Sequence, residues 1–304
     1  NGAILDEGEL TEAELNLSVN AFAVDAQAET RASIPSGTPE METSEEKEIH
    51  NIWVFQYDAA TKELLIKPRY YTITDQAILQ DLPVYLKAGV PSVVHVVTNT
   101  GYDNWANDGT DASWQKFRQL EQLKKQTLPT AFPLRSIDKV SIPMAGASEE
   151  VEVTTGITVT VPVTRMYAKL KVKVEMLKAE MKLNNVNVRQ IPNICRVETL
   201  AGDGNDEPMD AVPFPDGTTF GSIAFAASDL EKNEDKEWAV FYVPENLQGE
   251  TETQGGSKSD AAPSNALVVD VATEIGGERY LYAAYPGGNS LNNFNIQRNQ
   301  VYRM

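Results

Sequence analysis

The chain has 304 residues, a hydrophobic fraction of 41% and a formal charge of −18 from 26 basic and 44 acidic side chains, enough for two ordinary domains with separate cores. The charge excludes a surface built to neutralise phosphate, and the lysines and arginines form no patch interleaved with aromatics, so nucleic acid is not an expected partner. Cys195 is the only cysteine, which excludes an intrachain disulfide and a thiolate-rich metal site but leaves the compartment open.

Residues 1–48 carry twelve acidic and two basic side chains, Arg31 and Lys47, with too little apolar surface to fold alone. Within them, Leu15, Leu17, Val19, Ala21 and Ala23 alternate with Asn16, Ser18 and Asn20, the period of a strand with one buried face. That strand needs a sheet supplied by the rest of the protein. The acidic stretch that follows reads as a tether.

The body opens with EIHNIWVFQYD, LPVYLKAG and PSVVHVVTNTG, short strands punctuated by proline, glycine and asparagine. A helix is expected over residues 111–125, where Trp114, Phe117, Leu120 and Leu123 recur at helical spacing and Asp111 and Ser113 are candidate caps. Next, Val151, Val153, Ile157, Val159, Val161 and Val163 point one way and Glu152, Thr154, Thr158 and Thr160 the other, as in a half-buried antiparallel strand or hairpin. In AKLKVKVEM the apolar positions are Leu170, Val172, Val174 and Met176, so the phase has changed by one residue. Such a change turns the apolar face over, and TRMYA is read as the crossing between two domains. The remaining strands, SIAFAAS, EWAVFYVPEN, NALVVDVAT, ERYLYAAY and NFNIQRNQVYRM, come in series with few helices, the pattern of antiparallel β-sandwiches. The domains are therefore expected as 1–48 (strand and linker), 49–165 and 166–304.

Little in the chain suits catalysis, and no enzyme, cofactor or metal is expected. His95 sits in the apolar run VVHVV as a packed or edge-strand residue and His50 is expected to be solvated. The hydrolase, zinc-protease and nucleotide-binding signatures do not occur. The acidic loops DNWANDGTD and DGNDEPMD offer hard oxygen ligands, but from Asp103 or Asp203 the sixth residue is not glycine and the twelfth is Trp114 or Phe214. They are read as solvated turns rather than calcium sites. Cys195 is read as a small core residue.

NIWVFQYD, YLKAG, VVTNTG, IPMAG, TRMYAKLKV, YVPENLQG and RNQVY, in that order, resemble the fimbrillin family, pilin subunits of Bacteroides-type fimbriae. The resemblance implies two transthyretin-like antiparallel β-sandwich domains, export as a lipoprotein precursor to the outer membrane and cell surface, and head-to-tail assembly with other fimbrial subunits by exchange of β-strands. It also implies an arginine-specific maturation protease. Arg31 is the only arginine before Arg69, so cleavage between Arg31 and Ala32 would release the strand around Leu15, Leu17, Val19, Ala21 and Ala23. The uncut strand is expected in a groove of the C-terminal part of the fold or along its edge. The chain begins at Asn1 rather than methionine, as a processed or trimmed form would, so an export signal could have been lost before it. One departure from the family bears on this reading: the chain stops at Met304, where family stalk subunits run on into a donor segment, which suggests truncation, or a tip or accessory subunit. An alternative function is a surface glycan-binding lipoprotein or tip adhesin of similar fold, with Trp105 or Tyr102 stacking on sugar rings; simple loop packing of those rings competes with it.

Overall fold

The computed structural model describes residues 12–21, 44–101, 105–106, 113–130, 134–199, 208–232, 236–252 and 257–304. The runs of alternating or continuous apolar residues form strands β1 (Glu12–Ala21), β2 (Asn51–Asp58), β3 (Arg69–Thr72), β4 (Leu82–Lys87), β5 (Pro91–Thr98), β6 (Thr127–Pro129), β7 (Met144–Ala147), β8 (Val151–Glu152) and β9 (Thr158–Arg165). They continue with β10 (Tyr167–Lys173), β11 (Lys182–Pro192), β12 (Ile194–Arg196), β13 (Phe220–Ala226), β14 (Trp238–Pro244), β15 (Val268–Ile275), β16 (Glu278–Ala284) and β17 (Val301–Arg303). Helices among the described residues are one or two turns long, so the fold is all-β. By internal contacts it divides into two units. One comprises β1, Lys47–Gln126 and Ser141–Arg165; the other comprises Glu46, Thr127–Val140 and Met166–Met304.

In the first unit the strand order is β3-β2-β5-β7-β9-β1-β4, with β8 added to β5. Every pair is antiparallel except β1 with β9, which is parallel. The sheet is thus not antiparallel throughout, as the sequence led one to expect. The valines from 151 to 163 lie on either side of a turn at Gly156, with Val151 in β8, Val153 just after it, and Val159, Val161 and Val163 buried on β9. Strand β7 joins the β5 side of the sheet to the β9 side. Its Gly146, opposite Val163, lets the strands meet: a Cβ there would lie 1.7 Å from the Pro162 carbonyl oxygen.

Strand β2 is buried on both faces. Ile52 and Val54 enter the main core. Phe55 faces the other way, with the Trp105 ring centroid 6.0 Å and the Phe117 centroid 5.2 Å from its own. The single helix expected over 111–125 is instead a 3-10 turn (Ser113–Phe117) and an α-helical turn (Leu120–Lys124). The break has a backbone cause. The amide of Leu64 donates to the Arg118 carbonyl at 2.9 Å and that of Leu120 to the Lys62 carbonyl at 3.0 Å, so Arg118 and Gln119 are drawn into extended pairing. Trp114, Phe117 and Leu123 are still buried. The candidate cap Asp111 lies outside the described residues.

The second unit holds the sheets β13-β11-β15-β16, β14-β10-β17 and β12-β6. β10 and β17 are parallel; β10 and β14 are antiparallel. Leu170 and Val172 are buried as their spacing predicts, although β10 ends at Lys173, before Val174 and Met176. Lys169, on the expected polar face, is buried too, with its Nζ 2.6 Å from Glu46 Oε1. Two sequence motifs meet here. Arg298 of RNQVY donates from Nε to Glu245 of YVPEN at 3.2 Å, and from Nη1 and Nη2 to the carbonyls of Val197 (2.8 Å) and Arg196 (2.9 Å). One planar, always charged side chain thereby fastens three segments.

Candidate functional site: the seat of the first strand

Strand β1 lies in the interior of the first unit's sheet, neither along an edge nor in the C-terminal part of the fold. Its register sets Leu15 opposite Val84 and Leu17 opposite Leu82 on β4, and Leu17 beside Val159 and Val19 beside Val161 on β9. Ala13, Leu15, Leu17 and Val19 are at most 3% exposed and belong to the core with Ile52, Val54, Val94 and Val96. Ser18, which the alternation assigns to the solvent face, is also buried. Ala21 ends the strand; Ala23, Arg31 and Ala32 lie outside the described residues.

The two walls of this seat are held differently. β9 is bonded on its other side to β7, whereas the only strand that pairs with β4 among the described residues is β1. A second attachment keeps β4 in place. The fully buried Gln56 on β2 donates from Nε2 to the Lys87 carbonyl at 2.9 Å and accepts from the Lys87 amide at 2.8 Å, as a neighbouring strand would. Ahead of β4, the Gln76 amide bonds the amide and carbonyl of Ile49 in the same two-sided way, at 2.9 and 2.8 Å. A side-chain carboxamide carries both a donor and an acceptor, so each glutamine replaces one rung of a ladder.

The outward face of β1 is polar at its start. Glu12 stands opposite Lys87 and pairs with Arg69, the first residue of β3. Glu14 stands opposite Tyr85, whose hydroxyl donates to Glu14 Oε2 at 2.8 Å, and this bond raises the Tyr85 pKa above its ordinary value. Neither Arg69 nor Tyr85 was identified from the sequence as a partner of β1. The outward positions Glu12 and Glu14 were the only available sign that such partners exist.

The remaining candidates are dispersed. His95 is half-buried on β5 with its ring edge-on to Tyr57, and burial, helped by Lys124 and Lys62, pushes its pKa down to about 4. His50 is largely exposed, with Glu48 3.6 Å away. Cys195 is buried and its thiol is pushed up to about 12, chiefly by burial. The Trp105 ring packs at a steep angle against Phe55 and Phe117, at 6.0 and 5.1 Å between centroids, the loop packing that competes with a stacking role. Tyr102, Asp103 and Asp203 lie outside the described residues. Among the described residues no group of three or more metal-ligating side chains could hold an ion, and no helix is long and apolar enough to cross a membrane.

A family model described as "Domain of unknown function (DUF4906)" matches residues 241–304, from β14 to β17. No curated protein matches the sequence. Among solved structures, the tip fimbrial protein Mfa3 from Porphyromonas gingivalis, with a C-terminal truncation, is similar over 96% of this chain and 94% of its own, at 16% identity and a TM-score of 0.56. A candidate cell adhesion protein from Parabacteroides distasonis is similar over 96% of this chain and 87% of its own, at 14% identity and a TM-score of 0.55. Another, from Bacteroides eggerthii, is similar over 96% and 84%, at 14% identity and a TM-score of 0.51. Over nearly its whole length the chain has the fold of these proteins, an all-β architecture of several packed sheets.

Proposed function

We propose that the chain is a structural subunit of a cell-surface fimbria, with no catalytic role, assembled by protease-triggered strand exchange and supporting adhesion. The observation that carries this reading is β1: an interior strand, its apolar face buried and both edges paired, that precedes in sequence an acidic linker (residues 22–43) containing Arg31. The similarity in fold to a tip fimbrial protein supports it. Losing β1 would uncover an apolar groove between β4 and β9 with unpaired backbone on each wall, and a strand from a neighbouring subunit repairs both defects at once. Repeated head to tail, such a contact builds a filament.

Before cleavage the linker keeps β1 at high effective concentration, and burial of Leu15, Leu17 and Val19 contributes on the order of 5 kcal/mol. The uncut subunit is therefore closed to donors. The partners of this reading are other fimbrial subunits and an arginine-specific maturation protease, and its location is the outer surface of the cell, reached as a lipoprotein precursor. Treatment with an arginine-specific protease should remove residues 1–31, seen by mass spectrometry, and permit filaments visible by electron microscopy. Arg31→Ala should leave a folded, uncut subunit that does not polymerise. Filaments containing Arg31→Ala subunits with intact N-termini, formed as readily as wild type, would overturn the reading.

A further inference from the structure

We infer that the seat of β1 selects its occupant by charge as well as by apolar fit: Arg69 and Tyr85 choose a strand with carboxylates at its first two outward positions. The inference rests on the strand-exchange reading and names the chemistry of the partner segment. The occupant is an extended segment of a neighbouring subunit, running parallel to β9. It carries in order a carboxylate, a small apolar residue, a second carboxylate, a large apolar residue, a polar residue and a second large apolar residue.

The need for such a reader follows from strand geometry. A strand repeats every two residues, so a two-residue slip keeps every apolar side chain on the core face and every polar one outside. Apolar burial alone therefore distinguishes poorly between registers. In this seat the degeneracy is broken at one end, where Glu12 meets Arg69 and Glu14 meets Tyr85, while Asn16 stands opposite Pro83, which offers no such partner. A slip in either direction separates at least one carboxylate from its partner and changes the side chain in the Ala13 position. Sign matters as well. The chain carries a net charge of −18, and loss of residues 1–31, with seven acidic and one basic side chain, still leaves −12, so an acidic strand approaches against a repulsive field and is accepted only where a cation and a hydroxyl donor stand ready. Arg69, with a side chain 35% exposed, and Glu12, at 30%, are partly withdrawn from water, so their attraction is screened less than that of a free surface pair.

The test uses the full chain with a sequence-specific protease site placed between Ala21 and Ser44, so that release of β1 does not depend on Arg31. The cut protein is offered a labelled peptide of residues 12–21, or the same peptide with Glu12→Gln and Glu14→Gln, and uptake is followed by fluorescence anisotropy. The acidic peptide should bind about tenfold more tightly at low salt. The difference should shrink in high salt and in an Arg69→Met, Tyr85→Phe variant, whose changes lie on the outer face. Equal binding of the two peptides would overturn the charge reader and leave strand exchange standing. Binding of neither would overturn strand exchange and the inference with it.

Discussion

Lys169 Nζ lies 2.6 Å from Glu46 Oε1, and the Tyr242 hydroxyl donates to the same oxygen at 2.6 Å. The pair is almost wholly buried, with side chains 8% and 2% exposed. Glu46 is the first side chain after the linker described as buried, so this contact fixes the chain directly downstream of the segment proposed to be cut. Glu46→Ala would take the carboxylate away from the buried Lys169 ammonium, and should lower stability by about 3 kcal/mol. Lys169→Met added to it should recover part of that loss, because the buried charge is gone. Urea denaturation of both variants measures the difference.

Leu17 is fully buried between Leu82 and Val159. Leu17→Ala in the uncut protein should cost about 3 kcal/mol, the transfer energy plus the cavity it leaves. The loss should be concentrated in β1, so amide exchange should quicken in β1 and β4 more than in the second unit. Uniform quickening would mean that β1 does not open separately from its surroundings.

Removal of the carboxamide at Gln56 tests how the β4 wall is held. Gln56→Leu keeps the bulk but leaves the Lys87 amide and carbonyl without the two bonds that Gln56 supplies, at a cost of about 2 kcal/mol. If these bonds keep β4 in position once β1 has left, the variant should lose peptide uptake after cutting by a larger factor than it loses stability before cutting.

Gly146 tolerates no side chain. A Cβ would lie 1.7 Å from the Pro162 carbonyl oxygen, a backbone atom that cannot turn aside, so Gly146→Ala must push β7 from β9. A loss of about 3 kcal/mol is expected, read as a lower midpoint in thermal denaturation, with Gly156→Ala, where a Cβ meets nothing within 4 Å but φ is +78°, falling less.

For pH dependence, His95 supplies a definite sign. Its folded pKa, about 4, lies below the ordinary 6.5, so the unfolded chain binds more protons between those values. The neutral His95 therefore contributes stability that is fully present above about pH 6.5 and is lost as the pH falls toward 4. Compared with His95→Gln, the wild type should lose on the order of 2 kcal/mol more between pH 7 and pH 4.5 in paired denaturation curves. Assembly at neutral pH should be unchanged by His50→Gln or His95→Gln beyond modest stability effects.

Which residues face a core was legible in the sequence. Leu15, Leu17 and Val19, the valines of β9, and Leu170 and Val172 alternate as they are buried, because burial on a pleated strand is a local property with a period of two. Which core they face was not legible. The position of β1 between β4 and β9 joins it to residues more than sixty and more than one hundred and forty positions away, and no local pattern encodes a partner at that distance. The same reason explains the helix broken at Gln119 by pairing with Glu63 and its neighbours, and Lys169, whose burial depends on Glu46. In the candidate site, the alternation from Leu15 to Val19 marked the strand, whereas Arg69 and Tyr85 became its partners only through folding. Backbone pairing is shared by every residue type, so the choice of neighbour is decided by the whole sheet, where register, close approach at Gly146 and a few buried polar contacts such as Gln56 and Lys87 must all be satisfied together.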